Sequence, residues 1–223
     1  MVNTLAAIPM RLFKKARTQA DSDDGPRRLH IGCGQQSIPG WINIDNQGLT
    51  GVDQVLDVRH GLPFRDVTSI YAEHFLEHLS LDEGLAFLRE CRRVLAPDGV
   101  LRLSTPSLDW VLTTHYRWRD VTDEDRRLDC MRLNRAFHGW GHRFLYNGPM
   151  LASALRSAGF ARVQFHGYGE SDVPELSGLE RHEKWDDTPE LRHVLIAEAA
   201  GVGAPEAIPE ELLKQFREDL DAR

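Results

Sequence analysis

The stretch "LHIGCGQQSIPGWINID", Leu29 to Asp45, constrains the fold of this chain more than any other. An apolar run, Leu29–Ile31, stops at Gly32 and Gly34, and a second run from Trp41 ends in an acid, Asp45. Glycine accepts the left-handed backbone that a sharp strand-to-loop turn demands, and it leaves no Cβ where a ligand approaches the main chain. An acid at the tip of the next strand can accept hydrogen bonds from both hydroxyls of a ribose. The unit therefore reads as the opening of a nucleotide-binding sheet. Only six residues separate Gly34 from Trp41, whereas a parallel crossover usually takes roughly ten or more. The first helix is expected to shrink to about a turn, with Pro39 and Gly40 redirecting the chain.

Further strands are predicted at Gln54–Asp57 and Ser69–Ala72, beside the pair Arg28–Ile31 and Trp41–Asp45. Ser80 and Asp82 open a helix whose apolar stripe is Leu81, Leu85, Leu88 and Val94–Leu95, and Pro97 with Gly99 closes it. Strand "VLRLSTP" follows, then a helix from Pro149 to Ala158 stopped by Gly159, then strands "ARVQFHGY" and "RHVLIAEA". Alternating strands and helices predict a parallel α/β sheet, and two late strands joined without a helix predict a hairpin at one edge.

Three units follow from this pattern. Residues 1–27 form an N-terminal basic helix and linker, residues 28–200 the domain with an insertion over about 107–149, and residues 201–223 a linker and amphipathic helix. That last helix carries Leu212, Leu213, Phe216 and Leu220. It either pairs two subunits in a homodimer through Leu213 and Phe216 or covers its own sheet.

A chain of 223 residues suits one domain. Its formal net charge of −7 offers no general attraction to nucleic acid, and no apolar run approaches a membrane span. Cys33, Cys91 and Cys130 are widely spaced with no CxxC pair, which fits a reducing cytoplasm. The basic residues near the start follow the short apolar run, the reverse of a secretory signal. A cytoplasmic protein acting on a small molecule or glycan is the expectation.

The third strand adds a cofactor signal. Asp57 at its end could accept from an exocyclic amine while the Val58 N–H meets a ring nitrogen of adenine. The alternative is that Asp57 caps a loop. The ordered set "LHIGCG", "NID", "LDVRHGLPF", "SIYAEHFLEHL", "CRRVLAPDGVLRLSTP" and "LRSAGF" resembles the class I S-adenosylmethionine-dependent methyltransferases, in particular the type 11 methyltransferase domain group, over about Leu29 to Ala199.

The resemblance implies a Rossmann-like α/β fold: a seven-strand, mostly parallel sheet with one antiparallel strand, and S-adenosylmethionine lying across the carboxyl ends of the first strands. It puts the methionine end at Gly32, Cys33 and Gly34, the ribose at Asp45 with Asn46, and the adenine at Asp57 and Val58, with Glu73 facing the donor. Two positions depart from the family pattern. His30 stands where an acid is frequent and Gln36 where a third glycine is frequent, so contacts to the amino-acid end could come from Arg28 or Gln35 instead.

Methyl transfer to an oxygen needs alignment and a base. Two regions offer candidates. In "AEHFLEHL", Glu73 and His74 sit at the tip of the fourth strand, with Glu77 and His78 four residues on; these last two serve either the reaction or the contacts between loops. In the insertion, "NRAFHGWGHRFLYN" sets glycines beside aromatics and histidines and reads as a lid over a pocket. His142 is the first choice for general base, with His138 and Tyr146 next and His74 a further candidate.

A divalent cation is not expected. If one binds, Glu73, Glu170 and Asp172 are its alternative ligands, with the pairs His138/His142 and His74/His78. Glu170, Asp172, Glu180 and His182, in the loop after the sixth strand, could line the acceptor pocket. The leading expectation is an O-methyltransferase acting on a sugar or other small hydroxylated acceptor. N- or C-methylation and a non-catalytic donor-binding protein are the alternatives, and an NAD-dependent oxidoreductase is disfavoured because the second half lacks a nicotinamide-binding unit.

Overall fold

The structure is a computed structural model that describes residues 27–221; the expected N-terminal helix lies outside that range. The apolar run before Gly32 forms β1 (Arg27–Ile31) and the run before Asn46 forms β2 (Ile42–Asp45). Next come β3 (Gln54–Val55), β4 (Val67–Glu73), α1 (Leu81–Val94) and β5 (Leu95–Pro106). The insertion contributes α2 (Leu108–His115) and α3 (Asp123–His138). The chain then forms α4 (Gly148–Ser157), β6 (Phe160–His166), β7 (Val194–Val202) and α5 (Glu210–Asp221).

The seven strands lie in the order β3-β2-β1-β4-β5-β7-β6. The pairs among the first five are parallel, and β7 runs antiparallel to both β5 and β6. This is the expected Rossmann-like, mostly parallel sheet with one antiparallel strand. The chain leaves β1 toward β2 on one side and later adds β4 on the other. That reversal opens a crevice at the carboxyl ends of β1 and β4, the usual ligand position in such sheets.

The sheet is buried on both faces, as a parallel sheet must be. Leu29, Ile31, Ile44, Ile70, Leu101, Ala197 and Ala199 are all sealed from solvent. Ser80 and Glu83 form a capping box that starts α1, and Leu81, Leu85, Leu88 and Cys91 line its buried face. Removing the buried Leu88 side chain to Ala would cost about 2–5 kcal/mol. The α1 helix ends at Val94 rather than at Pro97 and Gly99, which lie in β5 where its pairing with β4 shifts register.

No helical turn joins β1 to β2, so the expected shortened helix is a chain of turns instead. Asn43 explains why the crossover tolerates this. Its Oδ1 accepts from the Ile38 N–H at 2.8 Å, and its Nδ2 donates to the carbonyls of Ile38 and Trp41 and to Asp53. The backbone groups that a helix would have paired are thus satisfied by one side chain. Ile38 and Trp41 fill the vacant place on that sheet face with Tyr71, Leu176 and Leu179.

The third strand is shorter than expected. Asp57 caps a single 3-10 turn, Val58–His60, rather than ending the strand. The insertion expected as a lid is largely helical, with α3 running through His138. The α5 helix packs Leu213 and Phe216 against the main core, with Phe216 and Phe144 ring centroids 5.7 Å apart, so it covers its own chain. Among the described residues no helix is long and apolar enough to cross a membrane.

One charge in the sheet interior ties the fold to the crevice. Arg102 on β5 is fully buried and donates to Glu180 and to Glu198, each at 2.7 Å. Glu198 belongs to β7, whereas Glu180 lies in the long β6–β7 loop. The buried ion pair therefore pins that loop over the carboxyl ends of the strands.

Candidate active site

Gly32 and Gly34 both adopt left-handed φ, +66° and +54°. A Cβ on Gly32 would meet Cδ2 of Phe75 at 2.5 Å, so no larger residue fits this wall. Asp45 stabilises the loop: its Oδ2 accepts from the Gly34 N–H and its Oδ1 from the Gln47 N–H, each at 2.9 Å. A carboxylate has roughly four lone-pair sites, so two remain for ribose hydroxyls.

Two cavities meet at this loop. The first, about 510 Å³, is lined by His30, the loop Gly32–Ile38, Glu73, His74 and the segment carrying Arg181 and His182. The second, about 470 Å³, is lined by Asp45, Asn46, Asp57, Val58, His78 and Trp140 among others. Gly32 and His74 belong to both. Both volumes fall within the usual range of small-molecule sites, roughly 300–1,000 Å³. A ligand with an adenosyl part and an amino-acid part fits this pair of connected cavities, with the Cβ-free wall between them.

The individual donor candidates differ in their surroundings. Cys33 is buried with its thiol pKa pushed up by that burial, which makes it an inert wall. Val58 is buried at the floor of the second cavity and Asn46 is exposed at its rim. Asp57 accepts from the Arg59 N–H and pairs with the Arg59 guanidinium at 2.7 Å, which holds its carboxyl at about 2. Its cap role is therefore present, and Arg59 takes up much of its acceptor capacity.

His74 occupies the tip of β4 with φ +46°, a left-handed conformation uncommon outside glycine, and its N–H donates to the Ser104 carbonyl. Its Nδ1 lies 3.0 Å from Oε1 of Glu77. The Glu77 side chain is sealed from solvent and accepts a further bond from the Thr105 hydroxyl at 3.0 Å. A carboxylate in that position keeps the proton on Nδ1 and leaves Nε2 as the acceptor nitrogen. Burial lowers the His74 pKa, but the Glu77 hydrogen bond and the charges of Glu77 and Glu73 outweigh it and raise the value above 6.5.

Glu73 is held from the β6–β7 loop. Its Oε1 accepts from the Arg181 N–H at 2.8 Å, the His182 N–H at 3.0 Å and the His182 ring at 2.6 Å. Burial would raise its pKa; these bonds prevail and hold it at about 2. The His182 ring stands edge-on to His74, 5.2 Å between centroids. Glu73, His74 and His182 form one group with ligand-bearing atoms within 4.8 Å of one another, and Glu77, His78 and His142 form another. Glu170 and Asp172 belong to neither: Glu170 accepts from the Gly167 N–H and Asp172 from Gln164.

Of the insertion, Trp140 lines the second cavity, whereas the three candidates His138, His142 and Tyr146 line neither. His142 donates from Nδ1 to the Ala136 carbonyl, 2.8 Å away, and its ring packs against His78 at 5.3 Å; it lines neither cavity. His138 is exposed at the end of α3. Tyr146 is wholly buried in the main core, and burial pushes its hydroxyl pKa up.

Residues 40–103 match the family model described as a methyltransferase domain. No curated protein matches the chain. Solved structures similar to it include a SAM-dependent methyltransferase from Thermotoga maritima, at 14% identity over 79% of this chain and 82% of that one with a TM-score of 0.48. Another is an S-adenosylmethionine-dependent methyltransferase from Mesorhizobium loti, at 16% identity over 78% and 90% with a TM-score of 0.47. A third is DhpI in complex with SAH, at 14% identity over 81% and 78% with a TM-score of 0.46.

Proposed function

We propose that this chain, a class I S-adenosylmethionine-dependent methyltransferase, moves a methyl group to a hydroxyl of a small polar acceptor, a sugar or oligosaccharide, with a histidine as general base. Bound S-adenosylmethionine supplies a methyl carried on a sulfonium, so the chain must align an acceptor in line with it and remove a proton. The observation that carries the reading is the His74–Glu77 pair at the wall common to both cavities. Glu77 orients the ring, and Nε2 of His74 takes the hydroxyl proton. Gly32 and Gly34 leave room for the donor and Asp45 holds its ribose. His74 thereby replaces His142 as first choice for the base, because His142 lines neither cavity.

The acceptor class rests on the surroundings of His182. That residue also lines a third cavity of about 290 Å³, with Tyr168, Lys184 and Trp185 in its wall. Trp185 stands edge-on to Trp110 at 5.4 Å, and such faces suit the apolar side of a sugar ring. A net charge of −7 favours such an acceptor over nucleic acid. Free thiols at Cys33, Cys91 and Cys130 suit a reducing cytoplasm.

The test is incubation with methyl-labelled S-adenosylmethionine and a panel of mono- and oligosaccharides, with and without chelator. The expected product is an O-methyl sugar identified by NMR, formed equally with chelator present. Label transferred only to amines or carbon would overturn the hydroxyl assignment.

A further inference from the structure

We infer that Arg181, with Glu73, recognises the amino-acid end of the donor, so that the β6–β7 loop takes part in a task for which the β1 residue lining the cavity, His30, offers no acid in this chain. The inference rests on the donor reading above. At the β1 position His30 is buried, faces the Asn43 side chain at 3.2 Å, and has its pKa lowered first by burial and further by the charge of Arg181. An imidazole, neutral or protonated, carries no negative charge and cannot neutralise an ammonium group. The Arg181 charge acts on His30 because both line the first cavity.

A methionyl group is a zwitterion, and a matching site needs one cation and one anion. Among the described residues, the acidic and strongly basic side chains lining the first cavity are Glu73 and Arg181. No carboxylate pairs with the Arg181 guanidinium among the described residues; it makes only long contacts, 3.3 Å to the Gly178 carbonyl and 3.5 Å to that of Glu180. The three hydrogen bonds to Glu73 all fall on Oε1, which leaves Oε2 for an ammonium. A guanidinium fork matches a carboxylate in two parallel bonds.

The backbone that presents Arg181 is fixed on both sides. Its own N–H and that of His182 are held by Glu73, and Glu180 is clamped by the buried Arg102. Gly32 and His74 join this cavity to the one bearing Asp45, so a donor with its ribose at Asp45 directs its amino-acid end here.

Calorimetric titration tests the inference with three probes: S-adenosylhomocysteine, its decarboxylated analogue, and 5′-methylthioadenosine, which lacks the amino-acid end. Arg181→Ala is expected to weaken S-adenosylhomocysteine roughly ten- to a hundredfold, the span of a charged hydrogen bond lost. The other two probes should bind the variant as they bind the wild type, which also reports an intact adenosine cavity, and Arg181→Lys should recover part of the loss. Unchanged S-adenosylhomocysteine affinity in Arg181→Ala, or an equal loss for all three probes, overturns the assignment. A wild-type protein that binds none of the probes overturns the donor reading itself, and this inference with it.

Discussion

Nδ1 of His74 lies 3.0 Å from Oε1 of Glu77, a carboxylate sealed from solvent, and the histidine so held stands at the wall between two cavities. A buried acid that fixes the tautomer of an imidazole lining a site is a compact arrangement for moving a proton.

If Nε2 of His74 is the base, His74→Asn should lower kcat by roughly 10²–10⁴, the usual contribution of a positioned base. Asparagine is the better replacement because it tolerates the left-handed φ at this position. S-adenosylhomocysteine affinity should stay near wild type, and His142→Ala should reduce kcat far less.

The pH profile gives an independent check. The base works as neutral imidazole, and its folded-state pKa lies above 6.5, so kcat should rise with pH around a midpoint above that value. Glu77→Gln keeps an acceptor for Nδ1 but removes the carboxylate charge that raises the value, and it should move the midpoint down. The stability linkage has the opposite direction: His74 in its protonated form stabilises the fold, fully below pH 6.5, and that contribution fades as pH rises through the folded value.

Glu73 sets an acid limit. Its pKa falls from 4.5 to about 2 in the fold, so its contribution to stability is complete above pH 4.5 and is lost as pH falls toward 2. Urea unfolding across that window should show a component that Glu73→Gln lacks. An identical pH dependence in the two proteins would contradict the loop contacts assigned to Glu73.

Arg102 joins the sheet to the loop that bears His182. Arg102→Met leaves Glu180 and Glu198 buried without their cation, a change expected to cost about 3–5 kcal/mol. A fall in urea midpoint of that order is expected. A variant as stable as the wild type would mean that the two carboxylates find water.

Much of this organisation was legible before any coordinates. The glycine turn, Asp45 and the alternation of strands and helices predict the sheet, because each follows from local chemistry. The absence of a first helix was only half legible: the short spacing forbids a full one, but the work of Asn43 depends on tertiary contacts. Arg102 is visible in the sequence as a lone charge inside the apolar strand "VLRLS", but its two carboxylate partners, Glu180 and Glu198, lie far along the chain. His142 and Tyr146 looked equivalent to His74 because spacing along a chain does not tell which side chains line a cavity. Arg181 was missed for the same reason: its part comes from the cavity and from Glu73, which are distant in sequence.

The central claim is a donor held between Asp45 and the loop Gly32–Gly34, and calorimetric titration with S-adenosylhomocysteine tests it most directly, with NAD as the control ligand. Wild-type protein should bind S-adenosylhomocysteine and not NAD, and Asp45→Ala should abolish that binding. An absence of S-adenosylhomocysteine binding by the wild type, or normal affinity in the Asp45 variant, would contradict the account.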